Sequence, residues 1–479
     1  MKLLLFHLCL LAIGAVSAFP GPRIRKRSTT NDLDGASFNV DFIEQKLDHF
    51  NDTRKVKWLQ RYMVNDTWYK NASNSPIFLM ISGETSMDSK WMTEGSWLNY
   101  AQRFGALCFL LEHRFYGQSR PTGDLSLENL KYLTSEQALG DVAEFIRKIN
   151  ENYKLTMNNL WIVFGGSYAG SLAAWSRLKY PDLVYAAVAS SAPLLAKADF
   201  REYNEIIRQA LANSSLECAE NVHQAALKVE ELLMTAEGVS SLSEKFNACI
   251  AIDHTNDLDK ANFILQLSYS IQDVVQNNGI SMSVDASICE VMTNSSYGDL
   301  VDRFAIVASD ESDNEEAVCE EMSYKETVNS MKNISYDSGN DERQWMYQLC
   351  NEFGYFTSSD SNETLFGSLI TLQHQISQCK DIFGDEFDEK RLNDGVAATN
   401  AKYGGLNIPV TRVAFLQGSL DPWHAVGIWH SSNPLLPAIF INGTSHCADM
   451  EVNLLEEPQQ LIAARNETQD QIGRWLSIL

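Results

Sequence analysis

A serine lies in a glycine-rich segment where a predicted strand gives way to a predicted helix. Residues 165–170 read GGSYAG and directly follow the apolar run 160–164, which predicts a buried strand. A nucleophile elbow is built in this way, because small neighbours let a strained turn lift the Oγ atom of Ser167 out of the sheet. The usual motif has glycine where this chain has Ala169, a difference of one methyl group. The segment therefore predicts a nucleophilic serine, and the alternative is a glycine-rich structural turn.

An elbow serine requires a base and an orienting acid, which follow it along the chain in the order acid, then base. The apolar run 413–416 predicts a strand, and Asp421 lies just beyond its end. A second predicted strand, 438–441, ends shortly before His446. The carboxyl ends of parallel strands lie at one edge of a sheet, so both side chains are expected near Ser167. Ser167 would attack a carbonyl carbon, His446 would carry the proton, and Asp421 would orient the imidazole.

Alternating strands and helices are predicted on both sides of a long helical stretch. Before that stretch, strands are predicted at 77–81, 106–111, 160–164 and 184–189, with a helix between residues 134 and 153. Within the stretch, helical patterns dominate. The alternation is typical of an α/β fold with a parallel sheet. The prediction is a sheet domain made of residues 28–199 and 405–479, interrupted by a largely helical insertion of residues 200–404.

Cysteine positions indicate disulfides in the insertion. Eight cysteines remain once Cys9 is set aside with the leader, and six of them lie between Cys218 and Cys379. An even number in an exported chain indicates disulfides, so three are expected inside the insertion, with their pairing left open. Cys108, in a predicted buried strand, and Cys447, beside the predicted base, are expected to be free thiols. No spacing of Cys or His indicates a metal site, and no cofactor is predicted.

The N-terminus indicates entry into the secretory pathway, with an extracellular or lysosomal destination. Residues 1–18 combine a basic start, an apolar core too short to span a bilayer and small residues at the end, which is typical of a signal peptide. The basic run ending at Arg27 is either a processing site, which would make residues 19–27 a propeptide, or a solvated linker. No later stretch predicts a membrane span. Sequons for N-glycosylation, expected on the surface if used, are at Asn51, Asn65, Asn71, Asn213, Asn294, Asn333, Asn362, Asn442 and Asn466.

Charge and composition exclude several classes of protein. The chain of 479 residues carries 38 Lys and Arg against 62 Asp and Glu, a net charge of −24. Nucleic acids and anionic membranes require a basic footprint, so neither is an expected partner. A hydrophobic content of 45% excludes a disordered chain. The oligomeric state stays open, a homodimer included.

Five segments spread over most of the chain carry a family resemblance. They are residues 45–51 (QKLDHFN), 112–117 (EHRFYG), 165–170 (GGSYAG), 343–348 (RQWMYQ) and 420–423 (LDPW). In these segments and their order the chain resembles the family of prolyl carboxypeptidase, dipeptidyl-peptidase II and thymus-specific serine protease, and most of all the thymus-specific branch. The resemblance implies an α/β-hydrolase domain with a helical, disulfide-bonded cap. It also implies hydrolysis of short peptides next to proline, in lysosomes or outside cells, by the three residues already singled out.

The chain departs from the family pattern at three places. One is Ala169, another is Cys447, where the prolyl carboxypeptidase branch has a second histidine, and the third is residues 82–86 (SGETS), which lack the Gly-Asn-Glu-Gly-Asp of the exopeptidase branches. The serine, acid and base survive all three, so the differences bear on substrate choice and on the second oxyanion donor. The N–H of Tyr168 is the expected first donor, and the loop around Glu84 is the expected source of the second.

The insertion is expected to restrict what reaches the serine. It can cover the rim that carries Ser167, which favours an exopeptidase on short peptides, either a carboxypeptidase or a dipeptidyl-peptidase. Trp345 and Tyr347 could stack on a proline ring, or both belong to the core of the cap. An esterase or lipase on the same scaffold and a catalytically silent binding protein are the alternatives.

The end of the peptide that is attacked depends on the charge that the site must match. A free amino terminus needs a carboxylate, for which Glu84 and Glu352 are the candidates. A free carboxyl terminus needs a cation or backbone donors, for which His113 or Arg114 could serve. The excess of acidic residues slightly favours release of a dipeptide from the amino end and leaves both ends open.

Overall fold

The computed structural model describes residues 38–477 apart from positions 52, 54, 310–318, 337–340, 453 and 455–456. The predicted signal peptide and propeptide lie outside the described residues. Within the described chain the strands are β1 (Asn39–Lys46), β2 (Lys57–Asn65), β3 (Ile77–Ile81), β4 (Leu107–Leu111), β5 (Trp161–Gly166), β6 (Ala186–Ser190), β7 (Lys197–Asp199), β8 (Gly354–Phe356), β9 (Val413–Gly418) and β10 (Ala438–Ile441). The helices are α1 (Ser96–Phe104), α2 (Leu127–Leu130), α3 (Ser135–Tyr153), α4 (Ser167–Lys179), α5 (Glu202–Ser214), α6 (Leu216–Leu232), α7 (Ala236–Lys245), α8 (Asp257–Gln276), α9 (Glu290–Thr293), α10 (Leu300–Ala308), α11 (Tyr324–Met331), α12 (Glu342–Gln348), α13 (Leu372–Phe383), α14 (Glu389–Tyr403) and α15 (Gln459–Leu476).

Eight strands form one sheet in the order β1-β2-β4-β3-β5-β6-β9-β10. Strand β2 runs antiparallel to both of its neighbours, and all other adjacent strands are parallel. This order, with only the second strand reversed, is that of the α/β-hydrolase fold. The predicted fold class is confirmed.

The central strands bury side chains on both faces, as their continuous apolar sequences require. In β3, Ile77 and Leu79 pack in the apolar layer that includes α3 and α4, while Phe78 and Met80 pack with α1 and α15. Successive side chains of a strand point to opposite faces, so each strand contributes to two cores. The sheet is therefore sandwiched between helices and holds its strand ends rigidly.

Between β6 and β9 the chain leaves the sheet and forms a helical cap, which comprises α5–α14 and the short parallel pair β7–β8. The cap packs directly on the helix that begins at Ser167. Trp175 of α4 stacks on Tyr403 of α14 with ring centroids 4.0 Å apart. Tyr168 lies 5.3 Å, centroid to centroid, from Phe353, which belongs to a π-helical turn after α12.

Three disulfides staple the cap, as the cysteine positions predict. The pairs are Cys218–Cys289, Cys249–Cys319 and Cys350–Cys379. Cys108 and Cys447 are free and buried, which confirms the second part of that prediction. The sheet strands and α1–α4 therefore rely on packing alone, and the covalent links lie in the cap.

One of the nine sequons is not on the surface. Asn65 is 1% exposed at the end of β2, and its Nδ2 donates to the Met92 carbonyl at 2.8 Å. Its Oδ1 accepts from the N–H of Thr67 at 2.9 Å, so the side chain bridges two segments from inside. A surface position is expected only of sequons that are used, so the burial of Asn65 predicts that its sequon is unused. The other eight asparagines are exposed. Among the described helices, none combines the length and the apolar character needed to cross a bilayer.

Candidate active site

Ser167 occupies a strained turn between β5 and α4. Its φ angle is +57°, in the left-handed region, and it is the first residue of the helix. The flanking glycines are required by close contacts. A Cβ atom on Gly165 would lie 2.1 Å from the Ala169 carbonyl oxygen, and one on Gly166 would lie 2.5 Å from the Met450 sulfur. The segment thus has the geometry of a nucleophile elbow, and Ala169 is accommodated within it.

Asp421 and His446 meet at the same edge of the sheet, beyond the ends of β9 and β10. The Nδ1 atom of His446 lies 2.9 Å from Oδ1 of Asp421, and both side chains are almost completely buried. Burial disfavours the imidazolium, but the charge of Asp421 and its hydrogen bond outweigh burial and raise the pKa of His446 well above its usual range. The Nε2 atom of His446 is buried and has no hydrogen-bond partner among the described residues. This nitrogen is the one that a general base would use, and in this structure it makes no hydrogen bond to Oγ of Ser167.

The two segments predicted to supply oxyanion donors lie next to each other. Tyr168 is the second residue of α4, and the N–H groups of a first helical turn have no partner within the helix. The loop after β3 passes close to this turn, because a Cβ atom on Gly83 would lie 3.7 Å from Cβ of Ala169. Glu112 fixes that loop through its Oε1, which accepts from the N–H of Met87 at 3.1 Å.

Glu84 lies in this loop and is buried, within electrostatic range of His446. Burial raises the pKa of the Glu84 carboxyl to about 7, against the opposing influence of His446. The negative charge of Asp341, from the cap, raises it further. Asp341 was not among the residues predicted from the sequence, although it lies two positions before the family segment that begins at Arg343. The charges of His446 and Asp341 therefore both act on the Glu84 carboxyl.

The predicted substrate residues of the cap have different surroundings. Trp345 packs against Tyr168, with ring centroids 5.6 Å apart. Tyr347 instead packs against Phe383 and Phe387 in the interior of the cap, which is the alternative that the sequence left open.

Glu352 does not face the serine in this structure. Its carboxylate accepts from the N–H of Ser135 at 2.9 Å, at the start of α3. Burial raises the pKa of Glu352 to about 7, and the hydrogen bonds from Ser135 act against that rise. The carboxylate is therefore engaged in capping a helix.

The two candidate cations are engaged in structural contacts. Arg114 is fully buried and binds both carboxylate oxygens of Asp141, at 2.6 and 2.7 Å. His113 lies between the Arg114 carbonyl and the hydroxyl of Tyr168, and burial lowers its pKa to about 4.

Within the described part of the chain, no group of three or more His, Cys, Asp or Glu side chains could hold a metal ion.

A strained serine, a hydrogen-bonded acid and base, and an eight-stranded sheet in this order place the chain among the α/β-hydrolases. The model of the family "Serine carboxypeptidase S28" matches residues 45–468, and the chain belongs to this family of serine peptidases. The thymus-specific serine protease of Mus musculus is 35% identical over 459 residues, covering 92% of this chain and 88% of that protein. The human protein of the same name is 33% identical, over 92% and 87%. The lysosomal Pro-X carboxypeptidase of Bos taurus is 27% identical, over 92% and 88%.

Proposed function

We propose that the protein is a serine exopeptidase that cleaves short peptides next to proline, with Ser167 as nucleophile, His446 as general base and Asp421 as orienting acid. The observation that carries the proposal is the conjunction of a strained serine at the start of α4 with a buried acid and base that are hydrogen-bonded to each other beyond the ends of β9 and β10. Strain at a residue in a left-handed conformation is retained where function requires it.

The reaction proceeds through an acyl-enzyme. Oγ of Ser167 attacks the scissile carbonyl carbon while Nε2 of His446 takes the hydroxyl proton, and Asp421 stabilises the imidazolium that results. The N–H of Tyr168 and the loop around Glu84 bind the oxyanion. The peptide C–N bond then breaks, and the leaving amine receives the proton from His446. Water, deprotonated by the same nitrogen, attacks the ester and releases the acyl product, which restores Ser167.

Burial of the site supports an exopeptidase. Ser167 and His446 are each 4% exposed beneath the cap. An extended internal segment of a folded protein could not reach the serine without displacing cap residues such as Trp345, which packs on Tyr168. The end of a short peptide requires much less room. The preference for proline rests on the family relatives, one of which is named a Pro-X carboxypeptidase.

The charges near the serine favour recognition of a free amino terminus. The cations considered for a carboxyl terminus, His113 and Arg114, are buried in contacts with other protein groups. Glu84 has no ion-pair partner among the described residues and lies within electrostatic range of His446. An ammonium group bound there would satisfy a buried carboxylate. The proposed product is therefore an amino-terminal dipeptide.

Paired peptides test this assignment. One peptide carries proline second from the amino end and the other carries it second from the carboxyl end, and products are identified by mass spectrometry with the Ser167→Ala protein as blank. Release of a dipeptide from the first is expected. Release of a single residue from the second would replace this assignment by a carboxypeptidase, and rapid internal cleavage of a long proline-free protein would refute the exopeptidase.

Glu84→Gln tests the amine site. The variant should lose the preference for a free over an acetylated amino terminus, whereas Glu94→Gln, an exposed change on the same connection between β3 and α1, should keep it. Equal preference in Glu84→Gln and the parent protein would contradict a role for Glu84.

The proposed location is the lysosome or the extracellular space, supported by the disulfides, the exposed sequons and the lysosomal relative.

A further inference from the structure

Gln276 lies at the junction of the cap with both loops that carry the acid and the base. It is the last residue of α8 and is 2% exposed. Its side-chain Oε1 accepts two hydrogen bonds, from Nε1 of Trp423 at 3.1 Å and from the hydroxyl of Tyr203 at 2.9 Å. Its main-chain carbonyl accepts a third, from the backbone N–H of His446 at 3.2 Å. One cap residue therefore contacts the acid loop and the base loop together.

The contact with Trp423 extends to the acid. The backbone N–H of Trp423 donates to Oδ1 of Asp421 at 3.0 Å, and this same oxygen holds Nδ1 of His446. The Trp423 ring centroid lies 6.2 Å from that of His446. A shift of the indole would therefore move the carboxylate that orients the imidazole.

A second cap carbonyl holds the base loop. Oγ of Ser445 donates to the carbonyl of Asn278 at 2.6 Å, next to the bond between His446 and Gln276. On the opposite side, the N–H of Cys447 donates to Oγ of Ser191 at 2.8 Å. The backbone on both sides of the imidazole is thus fixed between the cap and the end of β6.

We infer that Gln276 is a positioning residue, by which the seated cap sets the geometry of the acid and the base. The inference rests on the proposed roles of Asp421 and His446. A carbonyl oxygen has two lone pairs and can accept from Trp423 and Tyr203 at once, whereas an apolar side chain would remove the acceptor of both hydrogen bonds. The reacting groups are competent only while α8 is in place.

The test replaces the acceptor and keeps the side-chain volume. Gln276→Met should retain the fold but lower the second-order rate of fluorophosphonate labelling by about 10- to 100-fold, the range expected when a remote change misplaces reacting groups. Gln276→Glu restores an acceptor oxygen and should regain most of the rate. Gln272→Met is the matched control. It removes a buried hydrogen bond to Asn204 one turn earlier on α8 and should label like the parent protein.

The outcomes separate this inference from the proposed function. If the parent protein is not labelled at Ser167, the proposed function fails. If the parent protein is labelled and Gln276→Met is labelled as fast, or if Gln272→Met is slowed equally, the positioning role of Gln276 is overturned. Should Gln276→Met fail to fold, Trp423→Phe takes its place. It removes the indole N–H that donates to Gln276, together with part of the ring that packs on Tyr203 and Tyr355. Unchanged labelling of that variant would also overturn the inference.

Discussion

At the scale of single residues, the conformation of Ser167 is the feature that most separates this site from an ordinary turn. A non-glycine residue in the left-handed region costs about 1–2 kcal/mol. The strained residue stands where β5 ends and α4 begins, which is the position of the nucleophile in an elbow. Strain of this kind can be measured, because glycine relieves it.

Substitution of Ser167 should separate chemistry from strain. Both Ser167→Ala and Ser167→Gly should lose all fluorophosphonate labelling, because the Oγ atom is gone. Ser167→Gly should be the more stable of the two, by about 1 kcal/mol, since glycine adopts a positive φ without steric cost. Chemical denaturation of the two variants checks the difference. A Ser167→Ala protein that still reacts with the probe would end the assignment of the nucleophile.

The raised pKa of His446 predicts the acid limb of the reaction. Only the neutral imidazole accepts the serine proton, and a pKa above the ordinary 6.5 means that the proton is lost only at higher pH. The rate of labelling should therefore rise with pH through a midpoint above 6.5. Asp421→Asn removes the charge that raises this pKa, so its midpoint should fall, and its rate should drop by about 10⁴-fold. A parent rate that stays constant down to pH 5 would contradict His446 as the base.

At the scale of elements, the buried strands of the sheet are predicted from the sequence, whereas the edge strand β1 and the short strands β7 and β8 of the cap are not. Runs such as 77–81 are apolar throughout and are recognised at once, whereas β1 reads NVDFIEQK and has only two buried positions, Ile43 and Gln45. Strands β7 and β8 have three residues each and are defined by their pairing across the cap. A short or half-polar strand is specified by its partners, which a local pattern does not contain.

Thr134 and Gln137 have the residue types and spacing of a capping box at the start of α3, but the box is only half formed. Oγ1 of Thr134 accepts from the N–H of Gln137 at 3.2 Å, as expected. The side chain of Gln137 is used elsewhere, because its Nε2 donates to Asp48 and its Oε1 accepts from the N–H of His49. A long-range contact has displaced the local one.

The disulfide Cys350–Cys379 should stabilise the part of the cap that faces Tyr168. It joins the turn after α12 to α13 across a sequence separation of 29. Replacing both cysteines by alanine should lower the free energy of unfolding by about 3–4 kcal/mol, the loop-closure value for this length. Calorimetry or denaturant titration of the double variant measures the loss. A midpoint equal to that of the parent protein would mean that packing alone holds this segment.

At the scale of the whole molecule, surface position should decide which sequons carry sugar. The eight exposed asparagines can accept a glycan without change to the fold, but at Asn65 a glycan would replace the contact with Met92. Glycopeptide mass spectrometry of the protein from a eukaryotic secretory host should find Asn65 unmodified. A fully occupied Asn65 in the folded protein would contradict the position of this side chain.

The residues beyond the serine, acid and base show where sequence reasoning stops. Ser167, Asp421 and His446 follow strand ends, and the order of the strands brings them to one edge of the sheet. Gln276 and Glu352 have no such signal, because their partners lie far away in the chain and are chosen by the packing of the cap. The positions of the candidate peptide-binding side chains are equally hard to predict, because they depend on which cap residues pack near Ser167.

The long connection from β6 to β9 also determines the order in which the residues of the candidate site are synthesised. Ser167 is made early, and the strands that precede the acid and the base follow only after the whole cap has been synthesised. Pairing of β9 with β6 is a contact between distant parts of the chain, and such contacts form late in folding. On the proposed roles, a nascent chain thus holds the nucleophile without its base until the cap and the last two strands have been synthesised. Peptide hydrolysis by these proposed groups would therefore be withheld until His446 has been added to the chain.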